Sequence, residues 1–183
     1  MSTPTPIGLA GRGVGEHVTA LAESISRGFE QEIGSGIRRA DRLFGAALMV
    51  QWALLLAVAL IYTPFTWVGS AGFPHAHVYA AVLIGALAAA PGFALSRLRP
   101  GLLATRVVIG AGQAAMVGLF IFLLGGRIEA HFAVFVTLAI LMVYRDAWPI
   151  LAAAGVTAVD HLLRGILVPR SLTGSIDPSV LIV

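Results

Sequence analysis

Residues 125–164 read GGRIEAHFAVFVTLAILMVYRDAWPILAAAGVTAVDHLLR and contain two long apolar runs. The short polar segment Tyr-Arg-Asp-Ala-Trp, residues 144–148, separates the two runs. Each run approaches the ~20 residues that an α-helix needs to cross the hydrocarbon core of a bilayer. The stretch therefore predicts two antiparallel membrane helices joined by a tight turn, with their far ends side by side at one membrane face.

Ionisable side chains lie at the ends of these runs that are remote from the turn. Six residues make up this group: Arg127, Glu129, His131, Asp160, His161 and Arg164. Ionisable groups inside a bilayer are costly and usually have a function. We therefore predict that this end of the helix pair carries a functional site.

The composition of the whole chain is that of a polytopic membrane protein. It has 183 residues, of which 58% are hydrophobic and 11% charged, and its mean hydropathy is +0.90. Soluble domains are typically about 45–50% apolar. We predict an all-α fold, a polytopic transmembrane helical bundle of about five spans with an N-terminal amphipathic helix.

Several classes of function are excluded by residue types that the chain lacks. It has no cysteine, which rules out disulfides, thiolate metal sites and cysteine nucleophiles. All 12 basic residues are arginine, and they do not form basic runs interleaved with aromatic residues, so nucleic acid is not an expected partner. No phosphate-binding, dinucleotide-binding, serine-hydrolase or zinc-protease motif occurs where its structural context would allow it.

The chain divides into four predicted segments. Residues 1–14 are rich in Pro, Gly, Ser and Thr and are expected to be disordered, and residues 171–183 form a C-terminal tail. Residues 15–40 carry apolar positions three or four apart and predict an amphipathic cytoplasmic helix, interrupted near residues 34–36. The membrane domain covers residues 41–170, with spans at 43–62, 78–95, 107–124, 128–144 and 148–168 and an irregular loop at 66–77.

The distribution of arginine predicts the orientation of the chain in the membrane. With the N-terminus in the cytoplasm, nine arginines fall on the cytoplasmic side and two on the opposite side, while Arg164 lies within the fifth span. Short loops that are rich in arginine stay on the cytoplasmic side. We therefore expect a protein of the bacterial inner membrane with its N-terminus in the cytoplasm.

This topology gathers most of the histidines at the outer membrane face. His75 and His77 precede the second span, His131 opens the fourth and His161 lies late in the fifth, and only His17 is elsewhere. Imidazole and carboxylate groups at one level suit copper, zinc or iron, and two imidazoles on facing helices suit haem b. We predict four ligand candidates and four residues that support or replace them: His131, His161, His77 and His75, then Glu129, Asp160, Arg164 and Arg127.

Simpler interpretations of the same residues remain open. Asp160 and Arg164 are four residues apart on one helix and could form a local ion pair. His131 could cap a helix start, His161 could reach toward the lipid headgroups, and Glu129 could complement a helix dipole. The two amides inside apolar spans, Gln51 and Gln113, are more typical of bonds between helices than of ligands.

Residues 40–174 resemble the multi-span membrane input region of bacterial sensors, namely certain sensor histidine kinases, methyl-accepting chemotaxis proteins and diguanylate cyclases. The motifs that carry the resemblance are Gly125-Gly126-Arg127-Ile128-Glu129, His131-Phe132, Val134-Phe135, Tyr144-Arg145-Asp146 and Asp160-His161, with further matches at Ala40-Asp41-Arg42, Gln51-Trp52, residues 75–79 and Thr105-Arg106. The chain has Val107 where many such sequences have histidine, and Ala133 where some of them have a second histidine.

The resemblance implies a sensory input module that responds to a metal, haem or small ligand at the histidine cluster. Such sensors continue into a cytoplasmic output domain, and this chain ends before one, so enzymatic activity is not expected. A homo-oligomer and a cytoplasmic signalling partner are expected alongside the lipid bilayer. The residues leave two other functions open: a membrane electron carrier with haem b, and a membrane assembly subunit without a cofactor.

Overall fold

The computed structural model describes residues 8–62, 65–68 and 71–167. Apart from one short β-hairpin, the described part of the chain is helical, which confirms the predicted all-α fold class. A 3₁₀ turn, Met142–Tyr144, directly follows the fourth helix. The helices are α1 (Gly8–Tyr62), α2 (Ala76–Leu98), α3 (Leu103–Leu123), α4 (Ile128–Leu141) and α5 (Ala147–Leu167).

The helices have the lengths and surfaces expected of a membrane bundle. Four of those described, α1, α2, α3 and α5, are long and apolar enough to cross a membrane, and the apolar segment Ile128–Tyr144 is shorter. Large apolar side chains cover their outer faces; Leu87, for example, is 76% exposed and Phe135 is 68% exposed. Such surfaces are consistent with a lipid bilayer environment.

The segment between the first two spans differs from its predicted irregular structure. It contains strands β1 (Phe65–Val68) and β2 (Ala71–Pro74), which pair antiparallel with Val68 opposite Ala71. The first strand has the sequence Phe-Thr-Trp-Val, and aromatic and β-branched residues favour extended structure. The sequence between the strands is Gly-Ser, a composition typical of hairpins, and this signal could have been read in advance.

The chain divides into two compact units, residues 1–36 and 37–183. In the first unit, α1 exposes an apolar face formed by Val18, Leu21, Ile25 and Phe29. Helix α1 continues through residues 34–36, where the sequence predicted an interruption. The predicted disorder of residues 1–14 falls partly outside the described residues, with α1 beginning at Gly8, and the predicted tail 171–183 lies wholly outside them.

Helix α3 forms the centre of the second unit. More than half of its residues are buried, whereas α4 buries only Ala130 and Leu141. Close approach of the neighbouring helices depends on small residues in α3, as in many membrane bundles. A side chain at Gly110 would meet the Pro149 carbonyl group of α5.

The helices run antiparallel in sequence order, so the second unit has two distinct ends. We call one the histidine end, where α2 and α4 begin and α3 and α5 end; it carries His75, His77, His131 and His161. The opposite end, which we call the arginine end, is where α2 and α4 end and α3 and α5 begin, and it carries Arg99, Arg106 and Arg145.

Candidate functional site

His131 and His161 contact each other across helices α4 and α5 at the histidine end. Their ring centroids are 5.5 Å apart and their planes are inclined by 76°, an edge-to-face arrangement. His131 lies in the first turn of α4, and His161 lies about two turns before the end of α5. The antiparallel connection through residues 142–146 brings these two positions to the same level, as the sequence predicted.

Each of these imidazoles is held by the backbone of its own helix. The Nδ1 atom of His131 is 3.0 Å from the Arg127 carbonyl oxygen, and that of His161 is 3.0 Å from the Thr157 carbonyl oxygen. A carbonyl oxygen only accepts, so Nδ1 carries the proton and donates it. In a neutral ring the lone pair then lies on Nε2, which is the arrangement that metal-binding histidines commonly show. Within the described residues, neither Nε2 atom has a hydrogen bond.

An ion pair within α5 lies directly beside His161. Arg164 Nη2 donates to Asp160 Oδ1 at 2.6 Å, and Asp160 Oδ2 is 3.6 Å from His161 Nδ1. Both side chains of the ion pair are about one-fifth exposed. Gly118 of α3 leaves the space for them, because a Cβ atom there would lie 3.1 Å from the Asp160 carboxylate. The local ion pair considered from the sequence is therefore formed, and it lies next to the histidine pair.

His75 and His77 form a second histidine pair at the same end. Their ring centroids are 4.4 Å apart, and the Nδ1 atom of His75 accepts a hydrogen bond from the His77 backbone at the start of α2. Phe122 of α3 links this pair to the first, since its ring lies 4.9 Å from His77 and 5.4 Å from the Arg164 guanidinium carbon. Phe122 was not singled out from the sequence, where it is one apolar residue among many.

The structure separates the predicted site residues into three groups. His131 and His161 lie with Asp160 and Arg164, whereas His75 and His77 lie together, with His77 against Phe122. The side chains of Arg127 and Glu129 pair with each other at 3.5 Å and are both more than two-thirds exposed, and Arg127 contacts His131 through its backbone carbonyl oxygen. No three His, Asp or Glu side chains among the described residues are placed to hold one metal ion.

These positions determine which cofactors fit. A metal ion could bind the two Nε2 atoms of His131 and His161, with its other positions filled from outside the chain, because imidazole suits zinc, copper, nickel and iron. A haem needs a slot for its macrocycle between two imidazoles. The ring centroids of His131 and His161 are only 5.5 Å apart, which leaves no such slot between them, so the arrangement fits an ion better than a haem.

A second polar cluster, which the sequence did not predict as a site, occupies the arginine end. The Asp41 carboxylate of α1 is fully buried and accepts a hydrogen bond of 2.6 Å from the backbone of Gly101, in the turn between α2 and α3. The Tyr144 hydroxyl group faces the same carboxylate without hydrogen-bond geometry. Asp41 therefore connects α1 to the two turns that close this end of the bundle.

An ion pair and a side-chain cap complete the arginine end. Arg106 of α3 contacts Asp146 at 3.1 Å, with both side chains less than one-fifth exposed. Asp146 also accepts a hydrogen bond from the Trp148 backbone and so caps the start of α5. The sequence signal was present, because Asp41, Arg106 and Asp146 all flank apolar runs at this membrane face. Which of them pair could not be read from spacing.

Comparison with known proteins gave no match to a family model, to a curated protein or to a solved structure. The function is therefore argued from the geometry of the histidine end.

Proposed function

We propose that this protein is a sensory input module of bacterial signal transduction in which a transition-metal ion binds between His131 and His161. The observation that supports this most directly is the ring contact of 5.5 Å between α4 and α5, with both Nδ1 atoms held by backbone carbonyl groups. Two imidazoles with unengaged Nε2 atoms would supply two nitrogen ligands to copper, zinc or iron.

The ion pair beside His161 would adjust the affinity of this site. Carboxylates close to the second ring nitrogen fix the orientation of a metal-binding histidine and raise its basicity. Asp160 is suitably placed, with its carboxylate 3.6 Å from His161 Nδ1. Arg164 balances the charge of Asp160, so the site does not carry an uncompensated carboxylate when the metal is absent.

Binding of the ion would be transmitted as a signal by a change in the position of α4. A ligand shifts a conformational equilibrium only when it binds one arrangement better than another. Helix α5 packs closely on α3 through Gly110 and Gly118, whereas α4 packs on α3 over a smaller surface. An ion that holds His131 to His161 would therefore move α4 more readily than α5. Movement of α4 would reach the arginine end through Tyr144 and Asp146.

The orientation of the chain forms part of the proposal. We infer that the N-terminus and the arginine end face the cytoplasm of a bacterial inner membrane, because arginine-rich loops stay on that side. The histidine end would then sample ions outside the cytoplasm. The exposed apolar face of residues 18–29 would pack against a second copy of the chain or a cytoplasmic signalling partner.

Metal analysis and an absorption spectrum of the detergent-purified protein test the proposal. We expect about one bound copper, zinc or iron ion per chain, lost in the His131→Ala/His161→Ala double variant. His17→Ala is the matched control, because His17 is exposed and lies in the first unit. A Soret band would instead indicate the haem-binding electron carrier. The absence of both metal and haem, before and after incubation with each metal, would contradict the proposal and favour a membrane assembly subunit without a cofactor.

A further inference from the structure

An apolar cavity of about 460 Å³ lies between α1, α3 and α4, away from both polar ends. Small-molecule sites typically occupy about 300–1,000 Å³ and are mostly apolar with a few polar groups. The deep wall belongs to α3, where Gln113 and Met116 are at most 5% exposed. This size and lining are suitable for a ring-sized ligand.

The polar side chains that line the cavity are two amides, Gln51 and Gln113, and the hydroxyl group of Thr137. Gln51 Nε2 donates to Gln113 Oε1 at 2.9 Å, which agrees with the bond between helices considered from the sequence. The side-chain carbonyl oxygen of Gln51, Oε1, is buried and has no hydrogen-bond partner within the described residues. A buried acceptor without a partner is costly, and it creates a position for a ligand that donates a hydrogen bond.

The opening of the cavity faces the surface that the bilayer covers. Three side chains of its lining are about half exposed or more, namely Leu54 of α1 and Val136 and Ile140 of α4. All three are apolar, so a ligand would enter from the lipid and not from water. Two phenylalanines, Phe44 and Phe120, also line the cavity and offer faces for stacking with a planar ring.

We propose that this cavity binds a lipid-soluble molecule whose planar ring carries a hydroxyl group, the chemistry of a quinol. The ring would lie among the apolar and aromatic side chains, and its hydroxyl group would donate to the Gln51 carbonyl oxygen. A lipid acyl chain could fill the same volume, but it would leave that oxygen without a partner. The site is separate from the histidine pair and can be tested independently.

Binding of decylubiquinol and decylubiquinone to the purified chain in detergent tests this site. Trp52 directly follows Gln51, and its indole nitrogen donates to the Ala81 carbonyl group, so its fluorescence reports on this part of α1. We expect saturable quenching with one site per chain and tighter binding of the quinol, because only the quinol donates hydrogen bonds.

Two variants and one matched control separate a specific site from partition into detergent. The double variant Gln51→Leu/Gln113→Leu keeps the side-chain volume and removes both amides together, so that neither is left without its partner. It should weaken quinol binding about tenfold. Ala133→Phe fills the cavity and should abolish binding. Ala111→Phe alters the second cavity, of about 270 Å³ and apolar lining, and should leave quinol binding unchanged. Circular dichroism confirms that each variant remains helical.

Three results would overturn the proposal. Quenching that rises linearly with concentration and is equal in all variants would indicate partition into the micelle. A phospholipid that remains bound in native mass spectra and that decylubiquinol cannot displace would assign the cavity to lipid. A dimer of the purified chain that dissociates in the Ala133→Phe variant would assign it to a second copy of the chain.

Discussion

Asp160 is the residue that connects the interactions of the histidine end. Its carboxylate accepts from Arg164, approaches His161 and lies against Gly118 of α3. One of its oxygens, Oδ2, is buried without a hydrogen-bond partner among the described residues. Removal of one member of such a pair leaves the other charge uncompensated, which costs more than the pair itself contributes.

Asp160→Asn and Arg164→Gln should each lower the free energy of unfolding by about 3 kcal/mol, because each leaves one buried charge without its partner. The double variant should lose clearly less than the sum of the two. Unfolding of the purified protein by SDS, followed by circular dichroism, measures these differences.

The exposed pair of Arg127 and Glu129 provides the control for this cycle. These side chains are 69% and 68% exposed, and exposed ion pairs contribute little to stability. Glu129→Gln should therefore leave the unfolding curve unchanged. Additive losses at Asp160 and Arg164 would show that the two residues are not coupled as described.

At the scale of elements, the position of α5 on α3 depends on a contact between backbones. Gly110 of α3 lies against the Pro149 carbonyl group at the start of α5. The glycine is needed here because a methyl group would overlap a backbone atom that cannot rotate away. Neighbouring helices also lie against Gly112 and Gly118 of α3.

Gly110→Ala should destabilise the bundle by about 1–3 kcal/mol, the usual cost of overpacking. Gly155→Ala, within α5, is the matched control because a Cβ atom there meets nothing within 4 Å. It should stabilise the protein by about 0.5–1 kcal/mol through helix propensity. Thermal unfolding in detergent compares the two. Equal effects of both variants would argue against the close helix crossing.

The ends of α2, α3, α4 and α5 were predictable from sequence to within four residues, whereas α1 was expected as two helices, 15–40 and 43–62, and is one continuous helix. Which helices pack against one another was not predictable. Apolar runs of about 20 residues define a span, so α2, α3 and α5 fall where the hydropathy is high. Pairing depends on how each helix is rotated about its own axis, and apolar residues on every side of a membrane helix hide that rotation. For this reason His131 and His161 could be placed at one level, but the contact of Phe122 with both His77 and Arg164 could not be foreseen.

At the scale of the whole molecule, two polar ends are joined by an apolar bundle. The histidine end carries the imidazole pair, and the arginine end carries Asp41, Arg106 and Asp146 in contacts between elements. The arginine count predicts that the second of these ends faces the cytoplasm. The sequence was sufficient to assign residues to the histidine end or the arginine end, because consecutive spans alternate in direction.

Single cysteines test this orientation directly, since the chain has none of its own. Glu129→Cys places a thiol at the exposed start of α4, and Ala147→Cys places one at the exposed start of α5. A membrane-impermeant maleimide should label the first in intact cells and the second only after the membrane is opened. The reverse pattern would place the histidine end in the cytoplasm.

Electron paramagnetic resonance of the protein loaded with one equivalent of Cu²⁺ tests the central claim most directly. The account predicts hyperfine coupling from the imidazole nitrogens of His131 and His161, retained in His17→Ala and lost in the His131→Ala/His161→Ala variant. An unchanged copper spectrum in the double variant, or its loss on replacing His75 and His77 alone, would contradict the assignment of the metal to the α4–α5 pair.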